Sequence, residues 1–219
     1  MAAAAFFDLD RTLLRRSSAL ALAGSFRERG LISRSQLAKA AAWQLLFVLR
    51  GASHEAVRRA AEDGLLVLRG STPEELRSLV AEAMEPVLRP LVYAEPLHLV
   101  EQHRARGEPV YIVSATLQEI VEAIADDLGF DGALGTICEV KDGKYTGHAL
   151  RALHAENKAA AVRELGFDLD ECTAYTDSHT DLPLLEAVGH PVVVNPDRAL
   201  RRIAAERDWP VLEFQRRAA

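Results

Sequence analysis

The chain has 219 residues, 49% hydrophobic and 26% charged, which is the balance of a globular protein with room for one sizeable core, or a core plus a smaller insert, and not that of a disordered chain. Its 26 basic residues face 32 acidic ones for a net charge of -6, and the basic residues are scattered, so nucleic acid is not an expected partner. Cys138 and Cys172 lie far apart with no CxxC and no histidine pair nearby, which argues against a zinc site or a disulfide framework and fits a reducing cytoplasm.

The opening MAAAAFFDLDRTLL reads as a short buried strand over residues 3–7 running into Asp8-Leu9-Asp10. No Lys or Arg precedes the apolar residues and two acids close them, so no signal peptide is expected there. Residues two apart on an extended chain point to the same side, which would set both carboxylates facing one crevice. Close like charges are costly unless a cation lies between them or one holds a proton. Both conditions suit phosphoryl transfer, in which one carboxylate attacks phosphorus, a second serves the leaving oxygen, and a hard cation takes oxygen ligands. A lone DxD is short and common, and two turn-forming acids would look the same. Thr12 either caps the following turn or holds the loop through its hydroxyl.

Segments 17–29, 35–50, 53–69 and 73–88 carry apolar residues at three- and four-residue spacing, separated by Gly30, Gly51 and Gly70, and predict helices. Ser33 with Gln36, and Thr72 with Pro73 and Glu75, have the form of helix starts. The apolar stretch 40–49 is interrupted by Gln44 and is about half the ~20 residues of a membrane span, so it reads as a buried helix and no stable membrane insertion is expected.

Alternation then sets in: a helix over 95–106, a strand over 109–113, a helix over 117–128, and a hairpin of 137–140 and 144–146 around Asp142-Gly143. A helix over 156–165, a strand over 172–176, a helix from Leu182, a strand over 191–194 and a helix from Arg198 follow. This predicts an α/β fold, a Rossmann-like doubly wound parallel sheet covered on both faces. Residues 1–13 and 93–219 would form the core, and the helical block 14–92 an inserted cap over the crevice at the strands' carboxyl ends.

Three further stretches carry chemistry. In VYIVSAT, Thr116 with Glu119 makes the better capping box, which leaves Ser114 and the adjacent backbone N–H groups to bind an anion. Lys158 opens a helix, the wrong end for a cation on dipole grounds; it is either a solvated surface lysine or a fixed positive charge in the crevice. Asp177 directly follows a buried strand, and with Asp8 and Asp10 completes an oxygen-rich site of the kind Mg²⁺ takes. Asp181, four residues on, is an N-cap or a further ligand, and His179 reads as a loop residue. The sequence contains neither GxxxxGK[ST] nor GxSxG, which removes P-loop kinases and serine hydrolases with a nucleophile elbow.

FFDLDRTLL, VYIVSAT, Asn157-Lys158 and YTDSHTDLPLLEAVG, in that order, together resemble the haloacid dehalogenase superfamily over nearly the whole chain. The resemblance is to subfamily IB, the phosphoserine-phosphatase-like branch with a C1-type helical cap. It implies a phosphatase in which Asp8 is the nucleophile and Asp10 the acid and base. Asp8, the backbone carbonyl of Asp10, and Asp177 would hold Mg²⁺ with support from Asp181, and Thr12, Ser114, Ala115 and Lys158 would bind substrate. The implied partner is a small-molecule phosphate monoester, phosphoserine-like, histidinol phosphate or another small polar ester. The chain departs from true phosphoserine phosphatases at Ser17-Ser18, where they carry an acid, and at Ala115-Thr116, where they tend to have glycines. Arg11 stands where many relatives have glycine. A phosphotransferase or phosphomutase and a non-catalytic regulator are the alternatives on the same scaffold; a dehalogenase would need neither the acid at Asp10 nor the metal.

Overall fold

A computed structural model of the chain describes residues 2–32 and 65–215. The predicted helix over 35–50, most of that over 53–69, the Ser33–Gln36 start and the apolar stretch 40–49 lie outside the described residues.

Seven strands form one sheet in the order β4-β3-β2-β1-β5-β6-β7. In chain order they are β1 (Ala5–Phe7), β2 (Val110–Leu117), β3 (Gly132–Lys141), β4 (Lys144–Arg151), β5 (Thr173–Thr176), β6 (His190–Val194) and β7 (Val211–Leu212). All neighbours are parallel except the β3–β4 hairpin. Among the described residues the helices are α1 (Ser18–Glu28), α2 (Pro73–Ala83), α3 (Ala94–Ala105), α4 (Gln118–Leu128), α5 (Glu156–Glu164), α6 (Leu182–Leu185) and α7 (Arg198–Glu206). The predicted mostly parallel α/β fold is therefore the observed one.

The unbroken apolar run before Asp8 is explained by burial on both faces. Ala5 and Phe7 join an apolar cluster on one side of the sheet, Ala4 and Phe6 a second cluster on the other, as strand alternation requires. Phe7 stacks on Tyr175 of β5 with ring centroids 4.4 Å apart. Each such fully buried side chain contributes about 1.5–3 kcal/mol, so the central strand is fixed firmly just before the residues that matter.

The chain leaves the sheet layer and returns to it through two adjacent segments. Arg15 N–H donates to Leu91 O at 2.8 Å, and Tyr93 N–H donates to Leu13 O at 2.9 Å. Between them, α1 and α2 are joined by an Arg29–Glu82 ion pair, and their Leu22, Phe26, Leu76 and Leu79 share one apolar cluster with Ile120 and Ile124 of α4. The predicted start of α2 forms a full capping box: Glu75 N–H donates to Thr72 Oγ1 at 3.1 Å and Thr72 N–H to Glu75 Oε2 at 2.8 Å. The helix predicted to run to residue 88 leaves α geometry at Ala83 and widens over Met84–Leu88, where Pro86 has no N–H to give.

Two further predictions differ. Strand β2 runs to Leu117, four residues past the expected end, so the Thr116–Glu119 capping box does not form and α4 starts at Gln118 without a side-chain cap. The side chain of Gln118 instead pins β3, donating to Ala133 O at 3.0 Å and accepting from Gly135 N–H at 2.5 Å. A Cβ at Gly135 would lie 2.7 Å from Gln118 Cα, so glycine is needed for this approach. The second difference is β7, which pairs with β6 but is too short at two residues to show any period. Both cysteines are free and buried. Among the described residues no helix is long and apolar enough to cross a membrane.

Candidate active site

Strands β2 to β4 lie on one side of β1 and β5 to β7 on the other, so the sheet switches direction at β1, and the crevice opens at the carboxyl ends of β1, β2 and β5. Asp8 directly follows β1, Ser114 lies in β2, and Asp177 directly follows β5. Asp8 N–H donates to Tyr175 O at 2.9 Å, which ties the first and last of these ends together.

Lys158 reaches the same point from α5. Its side chain is 3% exposed, with Nζ 2.5 Å from Asp8 Oδ1 and 2.7 Å from Asp181 Oδ2. It is not a surface lysine. The turn that delivers it holds Ala155 at φ 49°, a conformation that side-chain-bearing residues rarely adopt, and is braced by Asn157 Nδ2 donating to Ala152 O at 2.8 Å. Burial disfavours the ammonium, but Asp181 and Asp8 outweigh it and keep Lys158 charged more firmly than an ordinary lysine. The same two carboxylates answer the unfavourable position at a helix start.

Asp181 Oδ2 also accepts from the Thr176 hydroxyl at 2.8 Å. The N-cap reading of Asp181 fails, since its side chain makes no capping bond to α6. Instead it anchors the lysine.

Asp10 does not share a face with Asp8 by strand alternation, because β1 stops at Phe7. The chain turns sharply, with Leu13 and Leu14 N–H groups both donating to Leu9 O at 3.0 and 2.9 Å. That turn brings Asp10 to the start of α1, where its Oδ1 accepts Ser18 N–H at 2.8 Å, an end of the helix that favours a carboxylate. Ser18 Oγ lies 3.2 Å from Thr116 Oγ1, linking α1 to the end of β2. Ser18 was not among the predicted site residues. Ser17-Ser18 ahead of an apolar run signals a helix start, but nothing in that signal names Asp10 as the partner.

Ser114 is buried, and its Oγ accepts Thr116 N–H at 3.2 Å, while Ala115 O accepts the Thr136 hydroxyl at 2.7 Å. Thr12 is fully buried with its hydroxyl unpartnered among the described residues. Arg11 adopts φ 65°, and its Nη1 is 3.9 Å from Asp177 Oδ2. His179 bonds Asp197 at 2.7 Å on the rim.

A family model of haloacid dehalogenase-like hydrolases matches residues 5–186. The chain belongs to the haloacid dehalogenase-like hydrolases. A probable phosphatase of Mycobacterium tuberculosis is 45% identical to this hydrolase over 217 residues, covering 97% of this chain and 76% of that one. A phosphoserine phosphatase of the same species is 35% identical over 221 residues, covering 98% and 72%. Among solved structures, a protein of unknown function from Bordetella pertussis superposes with a TM-score of 0.83 at 30% identity, covering 97% of this chain and 98% of that one.

The electrostatics of the site of this haloacid dehalogenase-like hydrolase disfavour ionising all of its carboxyls at once. Burial pushes the Asp8 carboxyl up to about 7, with Lys158 pulling it back and Asp181 and Asp10 adding to the rise. Burial and then Asp8 raise Asp177 above its ordinary value, against the pull of Arg11. Burial also raises Asp10, against the Ser18 N–H. Four carboxylates thus share one buried ammonium and one half-exposed guanidinium.

Among the described residues no three His, Cys, Asp or Glu side chains close into a ready-made metal cage. Mg²⁺ does not need one, because it keeps waters and takes one or two carboxylates plus phosphate oxygens. The all-oxygen donors Asp8 and Asp177 fit that pattern. Asp181 fits it less well, with Oδ2 already engaged by Lys158 and Thr176.

Proposed function

We propose that this hydrolase is a phosphatase that cleaves small-molecule phosphate monoesters with Mg²⁺ through an aspartyl-phosphate on Asp8. The observation that carries the reading is a buried carboxylate at the mouth of the central strand, fixed by a buried lysine that is itself anchored by Asp181. A carboxylate so held keeps one oxygen on the ammonium and presents the other to a phosphorus atom. Held by Asp8, Asp177 and the Asp10 carbonyl, Mg²⁺ would offset the negative charge of the carboxylates and of the phosphoryl oxygens.

In the first step an Asp8 oxygen bonds to phosphorus, the phosphorus–ester oxygen bond breaks, and the Asp10 carboxyl gives its proton to the leaving alkoxide. Burial of Asp10 favours the protonated form that this step uses. Asp10, now a carboxylate, takes a proton from water as the water oxygen attacks phosphorus, and the bond to Asp8 breaks to free orthophosphate. Lys158, the Ser114 hydroxyl, the Ala115 backbone and Thr12 surround the phosphoryl group in this reading. Residues 14–92 act as a cap that closes over the crevice and excludes bulk water.

The test is phosphate release from an aryl phosphate and from a panel of small phosphomonoesters, phosphoserine and histidinol phosphate included. Asp8→Asn is expected to abolish turnover while the far-ultraviolet circular dichroism is unchanged, and EDTA to silence the parent. Full activity in Asp8→Asn would sink the reading. Phosphoryl retained in an organic product, rather than released, would convert it to a phosphotransferase.

A further inference from the structure

Arg11 is the residue of the first loop that the reaction above does not use. It lies between Asp10 and Thr12, at φ 65°, a conformation that glycine adopts freely and a residue with a side chain does not. Its side chain is 41% exposed, and among the described residues its one ion pair is with Asp177 at 3.9 Å, beyond hydrogen-bond length. A guanidinium carries five N–H donors in a rigid fork. Here the fork is left almost wholly unspent at the mouth of the crevice. Lys158, by contrast, is committed to Asp8 and Asp181.

On the chain side away from those carboxylates, further cations follow Arg11. In a chain of net charge -6, residues 11–27 hold four arginines and no acid. Arg15 leans on the Tyr93 ring at 5.6 Å, and Arg16 is exposed beside it. A substrate whose phosphoryl group sits at Asp8 must lead its alcohol portion out past this loop. A planar fork there matches a carboxylate or a phosphate through two parallel hydrogen bonds and repels an ammonium.

We propose that Arg11 is a substrate-binding residue that selects monoesters whose alcohol portion carries a second anionic group, a carboxylate or another phosphate, over those with a neutral or cationic one. This rests on the phosphatase reading and narrows its substrate class. A guanidinium serving only as counter-charge to Asp177 would act on every ester alike.

The experiment is steady-state kinetics with saturating Mg²⁺ on the parent, Arg11→Gly and Arg11→Glu, using short alkyl phosphates of matched length. Four are needed: neutral, carboxylate-bearing, bisphosphate and amine-bearing. Arg11→Gly suits the backbone, so folding is not at risk. The parent is expected to favour the carboxylate or the bisphosphate, and whichever arm leads identifies the anion. In Arg11→Gly the ratio of kcat/KM for that anionic ester to that for the neutral one falls about tenfold or more, carried by KM, which is the loss of one charged hydrogen-bonded contact. In Arg11→Glu the amine-bearing ester becomes the better substrate. An equal loss for all four esters, or an unchanged ratio, overturns the inference and leaves the phosphatase reading standing. A parent that releases phosphate from none of them, aryl phosphate included, overturns the phosphatase reading itself, and the inference with it.

Discussion

Replacing Lys158 by methionine tests the electrostatic core of the site without relying on turnover. The side chain is buried, and its ammonium touches Asp8 at 2.5 Å and Asp181 at 2.7 Å. Methionine keeps much of the volume but strands two buried carboxylates, and breaking a buried pair in this way costs about 3–5 kcal/mol. A stranded carboxylate can escape by taking a proton. From an ordinary value of 3.8, holding a proton costs about 1.4 kcal/mol per pH unit, so escape costs under about 2 kcal/mol near pH 5 and about 6 near pH 8. The penalty is therefore expected to be larger near pH 8 than near pH 5.

The sign agrees with the parent's own behaviour. Asp8 is raised in the folded state, so its contribution to stability is fully present below about 3.8 and is lost as pH rises toward about 7, and removing the lysine deepens that loss. The assay is urea unfolding in EDTA at both pH values. A penalty that is the same at pH 5 and pH 8, or one below about 1 kcal/mol at pH 8, would refute the claim that Lys158 neutralises buried carboxylates.

Asp10→Asn is expected to slow release of poor alkoxide leaving groups by about 10²-fold or more, and an aryl leaving group much less, because only the former needs the proton. With an aryl ester the same variant should accumulate phosphoenzyme, detectable by acid quench and mass measurement, since water then lacks its base; no accumulation counts against Asp10 as the base. Asp8→Asn, metal-free, should gain stability over the parent as pH rises from about 5 to 8, because the raised carboxyl is gone; thermal melts at the two pH values check it. Thr72→Ala removes one arm of the capping box at the start of α2 and should cost about 0.5–2 kcal/mol in urea unfolding, with kcat on an aryl phosphate unmoved.

Much of the sheet was legible because its strands are covered on both faces and so appear as short apolar runs, FF before Asp8, VYIV before Ser114 and TAYT before Asp177. What the residues hid was where order is decided by a partner far away in sequence. The end of β2 at Leu117 depends on β3 pairing alongside, with Leu117 opposite Thr136, and local capping chemistry at Thr116 pointed to an earlier stop. Strand β7 exists only because β6 offers it an edge.

The site divides along the same line. Position at strand ends was enough to bring Asp8, Asp177 and Ser114 to one crevice, since a polar residue directly after a buried run has few other places to go. Lys158 and Asp181 were ambiguous for a physical reason: each had a satisfactory local explanation, a solvated lysine and a helix cap, and a local reading does not contain the other residue. Their bond spans 23 positions and that of Lys158 to Asp8 spans 150. Only closure of the sheet creates it. The strained turn at Ala155 is the local trace of that long-range demand, because a helix started from an ordinary cap would have no reason to hold a non-glycine residue at φ 49°. Ala155→Gly should therefore be tolerated, and even stabilising, whereas Ala155→Val should move Lys158 off Asp8 and lower kcat along with stability. Parental kcat in Ala155→Val would show that the turn does not position the lysine.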